Sequence, residues 1–429
     1  MNVVRIGVCG LLAFSVFAHG VVEPWSEAVL EVGAAMLLVW WAMLFASGRL
    51  PRVSWNRLLW PIIAFWLLAL FQYAARLSAV GFLTKIEILK LSALGLLFFL
   101  AVQAFETCED WRAFAWFLLV LGFTVSVFGI IQHYTFNGKL YWFRELRYGG
   151  IPFGPYVNRN HFAGFVELII PAGISIVLLR AEARDRLSVV ALLTIVPVGA
   201  LFLSASRGGI AALLLELGLV FILALSRGRG RKQLVRGAIA LLPAIAFIVW
   251  LGAGRALERF QSYQNLEISQ VRRTEMVRDS WRIFLDHPLL GAGLGTLEAV
   301  FPRYQTLYDG TVVNHSHNDY VEALAETGAI GGLICASFLV LLVGGAWKRI
   351  AGATNATNLA LHIAALSACC ALLAHSFVDF NLHIPSNALL FLVQSALATS
   401  TFAPSERHMA GDGALYSRKL NRTRAVQTV

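Results

Sequence analysis

Charge is scarce in this chain. Only 14% of its 429 residues are Asp, Glu, Lys or Arg, and 58% are hydrophobic. Soluble domains carry about 25% charged residues, and a soluble fold of this length could not cover its surface with so few. Cysteine is scarce too. The five (Cys9, Cys108, Cys335, Cys369, Cys370) lie in or beside apolar runs and form no exported disulfide framework. The alternation of a membrane β-barrel is missing from runs such as 334–343. Zinc-finger, RNA-binding and Walker patterns are also missing. The net charge of +10 therefore does not point to nucleic acid as a partner, and membrane topology accounts for many of the basic residues.

Long apolar stretches take the place of these features. A span needs about 20 apolar residues, and helices are the spanning element left open. The expected fold is all-α, a polytopic transmembrane bundle of about twelve spans. They fall at 6–22, 28–47, 58–75, 88–105, 113–132, 161–179, 187–204, 208–225, 237–252, 321–346, 358–377 and 384–402. The first resembles a signal peptide in having Arg5 before an apolar run, but it lacks an obvious small-residue cleavage site and is kept as a span. A single integral membrane domain over 1–405 and a basic cytoplasmic tail over 406–429 are expected.

Orientation follows from Lys and Arg in the short loops. Arg49, Arg52 and Arg57, then Arg180, Arg184 and Arg186, then Arg227, Arg229, Arg231, Lys232 and Arg236, then Lys348 and Arg349, and finally the tail all fall on one side. That side is expected to be the cytoplasm, with both termini there. Two long loops, about 133–160 and about 253–320, fall on the opposite, periplasmic side. They carry most of the polar, charged and aromatic groups outside the basic loops.

Five polar sets share that face. Asn314-His315-Ser316-His317-Asn318-Asp319-Tyr320 precedes the tenth span. A His near a hydrated cavity can take a proton from a hydroxyl; the plain alternative is a helix cap formed by Ser316 or Asn318. No Cys or third close His follows, so no metal is expected there. Ser204-Ala205-Ser206-Arg207-Gly208-Gly209 makes a short turn between two spans. Its guanidinium either snorkels to the interface or aims its fork at a phosphate. Arg272 to Phe284, with Arg273 and Arg278, reads as an amphipathic helix. It either touches anionic headgroups or binds a lipid-linked diphosphate. Arg159 and His161, with Glu167 behind them, form the fourth set. His375, Asp379, Asn381 and His383 form the fifth.

His317-Asn318, nine residues, then Gly328-Ala329-Ile330-Gly331 resembles the His-Asn-x9-Gly-x-x-Gly signature of bacterial O-antigen ligases and polymerases. Asp286-His287-Pro288-Leu289-Leu290-Gly291-Ala292-Gly293-Leu294-Gly295 is similar to a segment of their large periplasmic loop. Ser206-Arg207-Gly208-Gly209 and Asn158-Arg159-Asn160-His161 resemble two further family segments. The resemblance runs from about 150 to 385. It implies a metal-independent transferase of the inner membrane with no cofactor. The donor would be a glycan on undecaprenyl diphosphate, and the acceptor a sugar hydroxyl on lipid A core or on a lipid-linked repeat unit. His317 would be the general base or would orient the acceptor, with Asn318 beside it. Arg207 and Arg273, with Arg278 as a neighbour, would hold the diphosphate. Arg159, His161, His315 and Asp379 are further substrate-binding candidates by placement.

Ligase is the first reading, and chain polymerase of the same family is the second. A transporter or flippase is a third, kept open by the potentially intramembrane acids Glu31, Glu87, Glu167 and Glu216. A non-catalytic scaffold is a fourth, but it gives no reason for the His and Arg groups to share one face.

Overall fold

The computed structural model describes residues 1–50, 52–146, 152–227, 263–308, 310 and 312–403. Among these no strand occurs; the chain folds as α1 (Asn2–Phe17), α2 (Pro24–Ala46), α3 (Leu59–Ala74), α4 (Gly81–Ala104), α5 (Cys108–Tyr134), α6 (Arg159–Glu167), α7 (Ile170–Leu179), α8 (Arg184–Ser204) and α9 (Arg207–Ser226), then α10 (Tyr263–Asp286), α11 (Leu297–Val300), α12 (Asp319–Gly352), α13 (Ala356–His375) and α14 (Pro385–Thr399). Among the described residues, eight helical segments are long and apolar enough to cross a membrane, with α6 and α7 counted as one. The all-α polytopic expectation holds. Eleven of the twelve expected spans coincide with described helices. The expected span 237–252, the basic residues Arg229 to Arg236 and the tail lie outside the described residues.

Burial sorts the bundle. The α6–α7 window is 94% buried and that of α13 is 72%, whereas α2 and α12 are each 17% buried. The first two are therefore the axis, and the last two face outward. α13 packs against α7, α9 and α14. The basic segments are tied together at one end of the bundle. Asn56 donates to Thr399 Oγ1 at 2.9 Å, Arg349 to the Thr399 carbonyl at 3.1 Å, and Thr357 to the Ala181 carbonyl at 3.1 Å.

Two spans that read as continuous in sequence are broken, each for a local reason. α6 stops at Glu167 and α7 starts at Ile170. Pro171 has no N–H to offer the Glu167 carbonyl, so the ladder cannot continue. The buried Leu168 carbonyl at the break is taken by Gln394 Nε2 at 2.6 Å, as buried backbone requires.

α12 is kinked at Gly328, where φ is +64° and ψ −166°. The segment Pro288–Leu294 docks into that break. Ala329 N–H donates to the Pro288 carbonyl at 2.8 Å and Ala292 N–H to the Ala325 carbonyl at 2.9 Å. A Cβ on Gly328 would stand 2.3 Å from the Leu289 backbone. The first glycine of the Gly-x-x-Gly signature thus serves architecture: Gly328 lets the large loop seat itself on the helix that carries the His-Asn pair. We expect Gly328→Ala to destabilise the fold by about 1–3 kcal/mol, the usual cost of a backbone region that only glycine visits. The thermal midpoint of the detergent-purified protein checks this; an unchanged midpoint would contradict it.

Candidate active site

The loop 376–384, between α13 and α14, gathers the site. The sequence places His375, Asp379, Asn381 and His383 on it or just before it, and other elements reach in from several directions. From the start of α12, Asp319 N–H donates to the Ser376 carbonyl at 3.0 Å and Asn318 Nδ2 to the Phe377 carbonyl at 3.0 Å. From α10, Arg273 Nη1 donates to the Val378 carbonyl at 3.1 Å. From the start of α9, Gly208 lies so close that a Cβ there would be 2.4 Å from His375 Nε2 and 3.1 Å from Val378 Cγ2.

His317 stands at the middle. Its Nδ1 is 3.2 Å from Asp379 Oδ1. Asp379 is fully buried. Its second oxygen accepts from Asn160 Nδ2, and its first also takes the Phe380 N–H at 2.9 Å. Burial alone would raise the Asp379 carboxyl, but the hydrogen bond from His317 and the charges of His161 and His317 hold it well below the usual aspartate value. His161 is buried with its Nε2 4.0 Å from Asp379. The rings of His161, His315 and His317 all pack on Phe380, at centroid distances of 4.7, 4.2 and 5.0 Å.

The depressed Asp379 carboxyl has a consequence for stability against pH. A group whose folded value lies below its unfolded one stabilises the fold above the unfolded value, here 3.8. That contribution is lost as pH falls from there towards the folded value. Asp379→Asn should therefore lower the thermal midpoint at neutral pH, and the gap to the unmodified protein should close below about pH 4. A gap that stays constant down to pH 3 would contradict the assignment.

The turn that carries Arg207 is built from both ends. Ala205 takes a left-handed backbone, φ +52°, and ends α8. Ser206 caps α9 by accepting the Gly209 N–H at 3.2 Å. Arg207 thereby becomes the first residue of α9, where the free N–H groups and the helix dipole favour an anion. Gly208 and Gly209 next to it carry no side chain and leave room for close approach. Protein fills that space: His375 lies against Gly208, and Ala163 and Glu167 lie against Gly209. His317 is also left-handed, φ +53°. Such backbone in non-glycine residues is uncommon and concentrates at functional sites.

The other predicted residues divide. Asn318 caps α12, accepting from Tyr320 and Val321 N–H at 3.1 and 3.0 Å. It steadies the backbone that bears His317, and among the described residues it makes no hydrogen bond to the imidazole. Arg159 is half-buried at the first position of α6. Arg278 is exposed on α10 and pairs with Glu275 at 3.8 Å; among the described residues it makes no contact with the 376–384 loop. His315 and His317 do not act as a pair, because His315 turns to Glu322 at 2.7 Å. Among the described residues, His315, Glu322 and His383 form a group that could hold a metal. Burial alone would lower His383, yet Glu322 and Asp319 raise it to about 10.

Sequence reasoning missed Asn160, Asp319 and Phe380. Each sits beside a residue that was singled out, and only the fold shows that they face the same point. Two of the acids behind the transporter reading have partners: Glu87 pairs with Lys90 at 2.7 Å and Glu167 with His375 at 3.0 Å. Glu216 is buried with both carboxyl oxygens lacking a hydrogen bond among the described residues.

Comparison with known proteins falls on the same elements. Residues 187–336 match the family described as O-antigen ligase. That range holds Arg207, Arg273 and His317. The teichuronic acid biosynthesis protein TuaE of Bacillus subtilis (strain 168) is similar, at 25% identity over 285 residues. The match covers 62% of this chain and 56% of TuaE, so the chain spans just over half the length of that relative. With an all-α membrane bundle, the His-Asn-x9-Gly-x-x-Gly signature and this match in place, the chain is similar to the O-antigen ligase and polymerase family over the segment that carries the site.

Proposed function

We propose that this chain transfers a glycan from undecaprenyl diphosphate to a sugar hydroxyl at the periplasmic face of the bacterial inner membrane, with lipid A core as the first acceptor. The observation that carries the reading is the His317–Asp379 contact at 3.2 Å, on a loop that Arg273 grips and the Arg207 turn packs against. Asp379 holds Nδ1 and so directs Nε2 to the reacting hydroxyl, the role a buried carboxylate plays behind a histidine base. His317 takes the proton of the acceptor hydroxyl. The hydroxyl oxygen bonds to the anomeric carbon, and the electron pair of the broken bond goes to the departing diphosphate. Arg207 and Arg273 stabilise the charge that builds on the phosphate oxygens, and they do so most where water is scarce. The diphosphate is a good leaving group by itself, so the chemistry asks for no nucleotide. The exposed apolar side chains along α2, α3 and α4, among them Met36, Leu67 and Phe82, suit acyl and prenyl chains alike.

Deleting the gene and sizing the glycan left on the lipid tests this. Long glycan stranded on undecaprenyl diphosphate, with bare lipid A core, is the expected result. Accumulated single repeat units would instead make the protein a chain polymerase, acting on a lipid-linked acceptor through the same site. An unchanged lipid-linked pool would overturn both readings and favour a transporter.

A further inference from the structure

Beside the His317–Asp379 pair, and not used by it, three side chains from three places in the chain converge. His315 comes from the loop before α12, Glu322 from the first turn of α12, and His383 from the turn before α14. One donor atom of each lies within 4.8 Å of the others. Glu322 Oε1 is 2.7 Å from His315 Nδ1 and 3.4 Å from His383 Nε2. The two imidazole rings are 5.0 Å apart.

We propose that His315, Glu322 and His383 form a binding site for a divalent transition-metal ion of the zinc class. Two imidazoles and one carboxylate are the donor set of such ions, whereas magnesium and calcium prefer oxygen alone. The separation of Glu322 from His383 suits two ligands placed about 2.0–2.1 Å from a shared tetrahedral ion. His315 would have to open from Glu322 by about half an ångström to meet the same geometry.

Each donor is also held from behind. Asp319 Oδ1 lies 2.6 Å from His383 Nδ1, which turns Nε2 towards Glu322. The second oxygen of Glu322 accepts from Ser316 N–H at 2.8 Å and from the Ser316 hydroxyl at 3.1 Å. Phe380 stacks on His315 at 4.2 Å, with the rings 21° apart. Outer partners of this kind orient the ligands of metal sites. Charge points the same way. Asp319 and Glu322 are buried, and two buried carboxylates are costly without compensating positive charge. A dication supplies both positive charges at once. The ion would lock the loop that bears His317 against the turn that bears His383. The transfer itself is not routed through it.

The test uses the full-length protein in detergent, stripped with a chelator, reloaded with zinc or cobalt(II) and desalted. Metal is counted by elemental analysis, and the cobalt form is examined for the visible absorption of a near-tetrahedral site. One equivalent of metal is expected in the unmodified protein and in His317→Ala. His315→Ala, Glu322→Gln and His383→Ala are each expected to weaken binding at least tenfold. If Glu322→Gln aggregates, His315→Asn carries the test, because His315 is partly exposed. Substoichiometric metal in the unmodified protein, or uptake unchanged in all three site variants, would overturn the proposal. So would an equal loss in His317→Ala. Metal content is read without any glycan, so this proposal and the transferase reading can fail separately.

Discussion

Replacing His317 by alanine is expected to lower glycan transfer by about 10²–10⁴-fold in a protein that still folds, the range a positioned general base supplies. The structure says why folding should survive. His317 is only partly buried, so its loss opens no large cavity, and the helix cap of Asn318 next to it does not depend on the ring. Asp379→Asn should cost less than His317→Ala, because the imidazole remains and only its partner changes. The double variant should fall little below His317→Ala alone, since residues that act as a unit are not additive. The measurement is transfer of a lipid-linked glycan to acceptor by purified variants of checked monodispersity. More than a tenth of normal activity in His317→Ala would remove the base role and leave the ring at most a positioning group.

Arg207→Lys should be almost as damaging as Arg207→Ala, and that near-equality is the informative part. Losing one electrostatic donor to a charged transition state costs about 10²–10³-fold. A lysine keeps the charge but not the planar fork that matches two phosphate oxygens. Because Ser206 places Arg207 at the first position of α9, the side chain leaves from a fixed point and a lysine cannot recover the geometry by moving the backbone. Near-normal product from Arg207→Lys would show that charge alone suffices, and it would return this residue to the interface-snorkelling reading. Arg273→Ala carries a second burden, because its guanidinium also holds the Val378 carbonyl. Its activity loss should therefore come with a lowered thermal midpoint.

Much of this was readable before the fold. Apolar runs located the spans because length and hydropathy are local properties, and the bilayer admits few alternatives. Pro171 was visible in the sixth span, but a proline there kinks or breaks a helix only as its neighbours allow. It took Gln394, more than two hundred residues away, to satisfy the opened carbonyl. The break at Gly328 was hidden for a similar reason. That glycine reads as part of a family signature, whereas the structure shows it receiving the loop 288–294. The paired histidines 315 and 317 read as one feature. The left-handed backbone at His317 sends them to different partners, Glu322 and Asp379.

The sequence by itself determined the solvent of this protein, the helical character of its spans and the sharing of one end by its His and Arg motifs. Each of these follows from composition and periodicity along the chain. Tertiary structure alone decided which imidazole meets which carboxylate. His317 and Asp379 are 62 positions apart, and Asn160 is 219 from the same carboxylate. No local pattern encodes a contact over such distances. The packing of α13 against α7, α9 and α14 brings the 376–384 loop to the start of α12, and that packing depends on side-chain shape summed over the whole bundle.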